Sequence, residues 1–491
     1  MAARFRQQEL ECMPRLQIAA FQEEKLKQSR LISRAYDSAL YRSSWLKAGF
    51  APASIQNRAD LRQVPYLTGG GLRDAFATYA INDILTSQRV RFWFCTSGTT
   101  GSPKWIPYTD GDLDVCEQTI LRSMWLIGMD QTRLTWLNLV TPAPFISDGA
   151  AHFGIFAEML CGLQNEHIAA SPTEVATALP LASARKPNVL SAFPSVAARI
   201  AEGFPEAALV ETRRRFQEKK NFANLAAMLL ARYKGIRVRD IIKLRYGIFS
   251  GESLAPYRQT IIDHYGLEPY ELYACTEFLC FNVECSYHCG IHIWLDVCIA
   301  EIIPQPELDK EENTAGYIPQ ALFLDEVPIG TMGEYVLTTF GEALPLVRYR
   351  TSDLLEVVGT EGCRCGRTHP RVRVMRRLDD VVNMGLVRFS ILEVETCLGR
   401  VSHAGKVVNW QLRLERESCK PKPMLLIKAA RSGAEQALLD EIRSRVFEIE
   451  VLRVGCESGI VANPDIKLVD DIEEVRTATS KVRRIVYGKT W

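Results

Sequence analysis

The chain has 491 residues, enough to bury a large core and to form more than one domain. Its 59 lysines and arginines nearly balance its 58 aspartates and glutamates, so no global field favours nucleic acid or an acidic membrane surface, and a small molecule is the expected partner. The N-terminus, Met1-Ala-Ala-Arg-Phe-Arg, is charged where a leader would be apolar. No uncharged apolar run approaches the roughly 20 residues of a membrane span. The expected location is therefore the cytoplasm, where the 14 cysteines read as thiols, some of them at a metal, rather than as disulfides.

Taken in order, Leu26, Leu31, Ile32, Ala35 and Leu40 recur at roughly helical spacing and predict a helical entry segment stopped at Gly49. The apolar run Val90 to Cys95 reads as a buried strand. It delivers a loop, Thr96-Ser97-Gly98-Thr99-Thr100-Gly101-Ser102-Pro103-Lys104, whose glycines allow close backbone approach. The hydroxyls of Thr96, Ser97, Thr99 and Thr100, the loop amides and Lys104 can all donate to phosphate oxygens. A P-loop is excluded. That motif needs four residues between its glycines and a helix opening at its lysine, whereas here two residues separate Gly98 and Gly101, and Trp105-Ile-Pro-Tyr continues extended. An ordinary hairpin loop rich in glycine, serine and threonine is the plainer alternative.

Beyond the loop, Thr109 or Asp110 can cap a helix through Asp114, Cys116 and Leu121. A strand from Leu134 stopped by Pro142 is predicted, then strand-loop units at Asn188 to Ser195 and Leu244 to Leu254, with an apolar helix from Ser147 to Leu163 between the first two. Strands alternating with helices imply an α/β fold with parallel-rich sheets, and in such folds ligands gather at the carboxyl ends of strands. Arg213-Arg-Arg and Lys219-Lys220 read as a solvated helix face. Residues 304–319, rich in proline and acid, read as a surface loop. From about residue 380 the pattern changes to strands at Val407 to Leu414 and Pro423 to Ala429, a helix from Ala434 to about Phe447 and a strand near Ile466 to Val469. This suggests a small α+β domain, giving units of 1–378 and 379–491.

The nine-residue loop resembles the signature loop of the adenylate-forming enzymes, the acyl-CoA and aryl-CoA ligases among them, and further stations follow in the same order. Gly251-Glu252-Ser resembles the family's nucleotide-binding turn. Tyr273-Ala-Cys-Thr276-Glu277 resembles Tyr-Gly-x-Thr-Glu, which implies that Tyr273 stacks on adenine, Thr276 bonds the α-phosphate and Glu277 holds Mg²⁺. Tyr349-Arg-Thr-Ser-Asp353 resembles Tyr-Arg-Thr-Gly-Asp, which gives Asp353 the ribose hydroxyls. Arg377-Leu-Asp379 resembles a ribose-binding arginine followed by a hinge aspartate. Arg476-Thr-Ala-Thr-Ser-Lys481 makes Lys481 the candidate adenylation lysine, with Lys489 as the fallback. Ala274, Ser352 and Ser480 stand where the family carries glycine.

The N-terminal segment, Leu344-Pro-Leu-Val-Arg-Tyr-Arg and Cys363-Arg-Cys365-Gly-Arg-Thr-His-Pro-Arg resemble the phenylacetate-CoA ligase branch. The resemblance spans nearly the whole chain. It implies ATP-dependent activation of a carboxylic acid to acyl-AMP and transfer to coenzyme A. An amine, a hydroxyl or a carrier protein as acceptor is the alternative, and a non-catalytic nucleotide-binding scaffold is a second. Aromatic and small residues at Phe145 to Phe153, at Phe193-Pro-Ser and at Tyr246 to Phe249 suit an aryl or arylacetic acid. Two groups of soft ligands distant in sequence, Cys285, Cys289 and His292 with Cys363 and Cys365, offer four of five ligands for a structural Zn²⁺, with His288 a weaker candidate and unliganded thiols the alternative. The oligomeric state is open, a dimer being one option.

Overall fold

The computed structural model describes residues 7–96, 104–129, 133–139, 152, 154–155, 157–159, 161–170, 175–218, 229, 236–378, 381–384, 387–402, 407–417, 420–429, 433–472 and 484–487. The entry segment is helical as expected but broken into Arg15–Gln28, Leu31–Asp37 and Ala39–Lys47. Ser38 caps the last of these through its side chain, and Gly49 follows it at φ 67°. Their inner faces carry Leu26, Leu31, Ala35 and Trp45 into one core with Leu61, Phe94, Ile106 and Tyr349.

Two large sheets form the body. The six-stranded sheet runs in space as Glu166–Ala170, Thr135–Leu139, Val189–Ala192, Tyr246–Ser250, Glu268–Cys275 and Phe278–Val283. Its first five strands are parallel and the last turns back antiparallel. The parallel expectation is met in this sheet, where helices such as Val175–Arg185 and Pro194–Glu218 supply the crossovers. The second sheet is antiparallel along Ile291–His292, Arg371–Arg377, Tyr349–Gly359, Met332–Thr339, Cys298–Pro304 and Leu322–Phe323, and Leu67–Thr68 lies parallel beside Tyr349. A two-stranded hairpin, Phe92–Cys95 with Trp105–Tyr108, flanks them. The helix Asp110–Leu126 follows it, opened by a reciprocal capping box between Thr109 and Asp112.

One expectation is corrected. Residues 304–319 are not simply a loop, because Gln305–Asn313 is a helix. Pro306 stands in its first turn, where a missing N–H costs nothing. Glu307 pairs with Lys310 at 2.7 Å, and Leu308 buries with Ile303 and Val336.

Beyond residue 380 a hairpin, Val381–Met384 with Val387–Ser390, and a four-stranded sheet ordered Asp465–Leu468, Lys420–Ala429, Val407–Glu417 and Ile485–Tyr487 share a core of their own. Phe389, Leu412, Leu414, Ile427, Ile442 and Leu452 are its centre. Among the described residues no helix is long and apolar enough to cross a membrane. The expected apolar helix after Ser147 lies largely outside the described residues.

Two residues without glycine's freedom take positive φ at or just before the strand Tyr349–Gly359, buried Arg348 at 47° and half-buried Ser352 at 64°. Arg348 is held there by bidentate bonds to Glu301 of 2.9 and 3.0 Å and by donation to the Arg62 and Val64 carbonyls. Ser352 donates its backbone N–H to Glu334 at 3.1 Å. A side chain in the left-handed region costs on the order of 1 kcal/mol. Ser352→Gly is therefore expected to raise stability by about 0.5–1 kcal/mol in urea denaturation; a loss of stability would show that the strand, and not the side chain, sets this angle.

Candidate active site and thiol cluster

The hairpin delivers the loop that the sequence singles out, and its ends are pinned together. Thr96 N–H donates to the Lys104 carbonyl at 2.9 Å, and Lys104 N–H donates to Thr96 Oγ1 at 2.9 Å. Ser97, Gly98, Thr99, Thr100 and Gly101 lie outside the described residues, as do Asp379, Lys481 and Lys489. Lys104 itself is 9% exposed. Its Nζ donates to Tyr349 Oη at 2.9 Å and forms an ion pair with Glu277 Oε1. Tyr349 Oη also donates to Glu277 Oε1 at 2.9 Å. Burial pushes the Glu277 carboxyl up, but the Lys104 ammonium and the hydrogen bonds from Lys104 and Tyr349 outweigh it and hold the group below the usual carboxylate range. Tyr108, from the hairpin, donates to the Thr276 carbonyl and fixes the turn that carries Glu277.

A second group adjoins on the same two segments. Tyr273 O–H donates to Asp353 Oδ2 at 2.6 Å, and Arg377 Nη1 stands 3.3 Å from Asp353 Oδ1. The pairing of Asp353 with Arg377 follows from strand register, since the two are direct cross-strand partners. Gly251 adopts φ 85°, as a tight turn after a strand requires. Glu252 is engaged elsewhere, accepting from Ser195 N–H at 2.8 Å in the first turn of the helix Pro194–Glu218. Sequence reasoning named Lys104, Glu277, Tyr273, Asp353 and Arg377 but gave no role to Tyr349 or Tyr108. Tyr349 was in view as the first residue of its motif.

The ligand atoms of Cys285, His292, Cys363 and Cys365 all lie within 4.8 Å of one another. Cys285 Sγ is 3.7 Å from Cys363 Sγ, and Cys365 Sγ is 3.5 Å from His292 Nε2. Cys289 stands 3.4 Å from Cys363 and 4.0 Å from Cys285, but outside the four-membered set. His288 turns away, between Glu284 at 3.3 Å and Glu268 at 3.1 Å. The second half of the cysteine motif has a different use. Arg367 pairs with Glu11 at 2.9 Å, Thr368 Oγ1 donates to the Met13 carbonyl at 2.6 Å, and buried His369 donates through Nε2 to the Leu10 carbonyl at 2.8 Å while Nδ1 accepts from Leu295 N–H at 3.0 Å. Those partners assign the neutral Nε2–H tautomer. Arg122, fully buried, adds a bidentate pair to Asp296 at 2.9 and 3.0 Å and a bond to Gln7 at 3.0 Å. The short N-terminal helix Gln8–Glu11 and the residues beside it are thereby docked on the cysteine turn.

Several known proteins are similar to this chain. The GH3 family N-terminal domain model matches residues 77–143. Phenylacetate-coenzyme A ligase of Thermus thermophilus is 26% identical over 501 aligned positions, covering 98% of each chain, and that of Escherichia coli is 25% identical over 92% of this chain and 91% of its own. The crystal structure of 2-hydroxyisobutyryl-CoA ligase in its postadenylation state shares the fold at a TM-score of 0.73 and 19% identity, over 98% of this chain and 92% of that one. An acyl acid amido synthetase, AtGH3.15, follows at a TM-score of 0.62 and 15% identity over 96% and 92%. The relatives, with the fold, mark the chain as an adenylate-forming ligase. Within that class the chain's relatives are the phenylacetate-coenzyme A ligases.

Beside the cysteine cluster a cavity of about 710 Å³ is lined in part by Arg258, Glu268, Glu271, Glu284 and His288. Glu271 is buried there, accepts from Leu254 N–H at 3.2 Å, and is pushed by burial from 4.5 up to about 7. Its folded value lies above its unfolded one, so its contribution to stability is whole below about pH 4.5 and is lost as the pH rises through about 7. Glu271→Gln keeps the acceptor for Leu254 and is expected to flatten that decline, gaining on the order of 2–3 kcal/mol at pH 8. Thermal denaturation between pH 4.5 and 8 measures it, and parallel profiles for variant and wild type would refute it.

Proposed function

We propose that this ligase activates an aromatic or arylacetic acid with ATP to give acyl-AMP and pyrophosphate, and then transfers the acyl group to coenzyme A, in the cytoplasm. The observation that carries this reading is the convergence of Lys104, Glu277 and Tyr349 beside Tyr273, Asp353 and Arg377. A carboxylate is a poor electrophile, and joining it to AMP supplies the leaving group. The enzyme's task is to position two anions and neutralise growing charge. Lys104 and the 96–104 loop grip the β- and γ-phosphates. Thr276 meets the α-phosphate, Tyr273 the adenine, and Asp353 with Arg377 the ribose. The turns at Gly251 and Glu252 complete the nucleotide wall.

Glu277, a hard oxygen ligand, fits Mg²⁺, which when bound neutralises phosphate charge. Residues 379–491 form a lid hinged at Asp379 that brings Lys481 to the reacting carboxylate. A thiol then displaces AMP. An amine acceptor is the second reading, favoured by the match of residues 77–143 to the GH3 domain model and by the amido synthetase fold neighbour.

Carboxylate-dependent ATP–pyrophosphate exchange across an aryl-acid panel is expected to show activity. Complete silence from folded protein would overturn the assignment, and product analysis with coenzyme A or amines separates the acceptors. In the same assay Lys481→Ala is expected to abolish exchange yet spare thioester formation from supplied acyl-adenylate; unchanged exchange would exclude Lys481.

The thiol cluster fits a structural Zn²⁺. Three sulfurs and one imidazole nitrogen converge, and the hydrogen bond from Cys285 holds the Cys365 thiol well below its usual range, toward the thiolate form that binds metal. Elemental analysis is expected to give about one zinc per chain, lost on Cys365→Ala together with several degrees of thermal stability; a stable, metal-free wild type would refute it.

A further inference from the structure

The group that joins the two buried charges of the nucleotide site is a phenol. Tyr349 is 3% exposed, at the start of the strand Tyr349–Gly359. Its oxygen accepts from Lys104 Nζ at 2.9 Å while its O–H donates to Glu277 Oε1 at 2.9 Å, and Lys104 and Glu277 also touch directly, so the three atoms close a triangle. A phenol can fill both parts at once because it carries one donor and free lone pairs. Burial, then the Glu277 charge, push its titration far above the ordinary range, so it stays a neutral donor. The Lys104 ammonium also lies 5.5 Å from the ring centroid. The side facing the helix Gly69–Thr78 is left clear: a Cβ on Gly69 would stand 3.4 Å from Tyr349 Oη and 3.6 Å from Lys104 Nζ.

Lys104 and Glu277 are each other's counter-ion here, and the function proposed above gives them different partners, a phosphate oxygen for one and Mg²⁺ for the other. Opening a buried pair leaves each charge uncompensated until its new partner is in place. We infer that Tyr349 is a positioning residue for nucleotide loading, whose hydroxyl holds Glu277 and Lys104 in register and keeps each hydrogen-bonded while they exchange each other for metal and phosphate. This rests on the roles assigned to Lys104 and Glu277. Without the hydroxyl the ion pair is a bare direct contact, harder to open, and the carboxylate has lost a donor that fixes its orientation.

Tyr349→Phe keeps the ring and removes the hydroxyl. Calorimetric titration with Mg·ATP in the absence of acid is expected to show affinity weakened roughly tenfold, the scale of one hydrogen bond to a charged group. Half-saturating Mg²⁺ in the exchange assay should rise by a similar factor, with KM for the acid unchanged. In a Glu277→Gln background the same substitution should change Mg·ATP affinity little, because its effect is routed through that carboxylate. Should Tyr349→Phe fail to fold, Gly69→Val, which crowds the hydroxyl from the open side, is expected to weaken Mg·ATP binding in the same sense. Wild-type protein that does not bind Mg·ATP overturns the site assignment itself. Wild-type binding with Mg·ATP affinity and Mg²⁺ dependence unmoved by the substitution overturns the role of Tyr349 alone.

Discussion

A lysine and a glutamate taken out of water must meet, and the site depends on that requirement. Lys104 leaves the hairpin, Glu277 leaves the turn after the last parallel strand of the six-stranded sheet, and Tyr349 opens a central strand of the antiparallel sheet. Neither the Lys104 segment nor the Glu277 segment can be displaced by a few ångströms without leaving a buried charge unpaired, a loss usually of several kcal/mol, and displacing the Tyr349 segment removes a hydrogen bond from each charge. The second tie, Tyr273 to Asp353, runs along the same two segments and keeps them in step. The proposed nucleotide site is therefore the seam of the two sheets, and its residues hold the sheets together.

Local chemistry made much of this legible. Thr109 with Asp112 is a capping signal readable in four residues, and the alternation in Val407–Glu417 and Lys420–Ala429 marks strands that pair with each other. Residues 304–319 misled because proline and acid mark a helix start as well as a loop, and only the burial of Leu308 against Ile303 and Val336 decides between them. Motif order located Lys104, Glu277, Tyr273 and Asp353. It could not show that Tyr349 joins two of them, because that contact spans 245 positions to Lys104 and 72 to Glu277. In the second sheet Met332–Thr339, Tyr349–Gly359 and Arg371–Arg377 pair as consecutive antiparallel strands joined by short connections, a pattern that the strand–helix alternation earlier in the chain does not announce.

The cysteine motif illustrates how one short stretch can hold two separate functions. Cys363 and Cys365 face Cys285 and His292, whereas Arg367, Thr368 and His369 a few residues later face the opposite way and grip the N-terminal helix. From spacing alone five ligands competed for four places. The fold sets His288 apart between Glu284 and Glu268 and draws His292 to Cys365, while Cys289 stays beside the cluster, 3.4 Å from Cys363. The turn thus couples whatever fills the thiol cluster to the seating of the first helices.

That grip also bears on the order of events during synthesis. The bond from Arg367 to Glu11 closes a span of 356 residues, and Leu67 waits for Tyr349 as its strand partner. Closing loops of that length is slow compared with forming local helices. Until the strand that opens at Tyr349 has been added, at about 5–20 residues per second, the core of the entry helices lacks Leu344, Leu346, Val347 and Tyr349, although Leu31, Trp45 and Leu61 already have Phe94, Ile106 and Tyr108 as partners. The first helices, though made earliest, therefore complete their packing only when the strand Tyr349–Gly359 arrives.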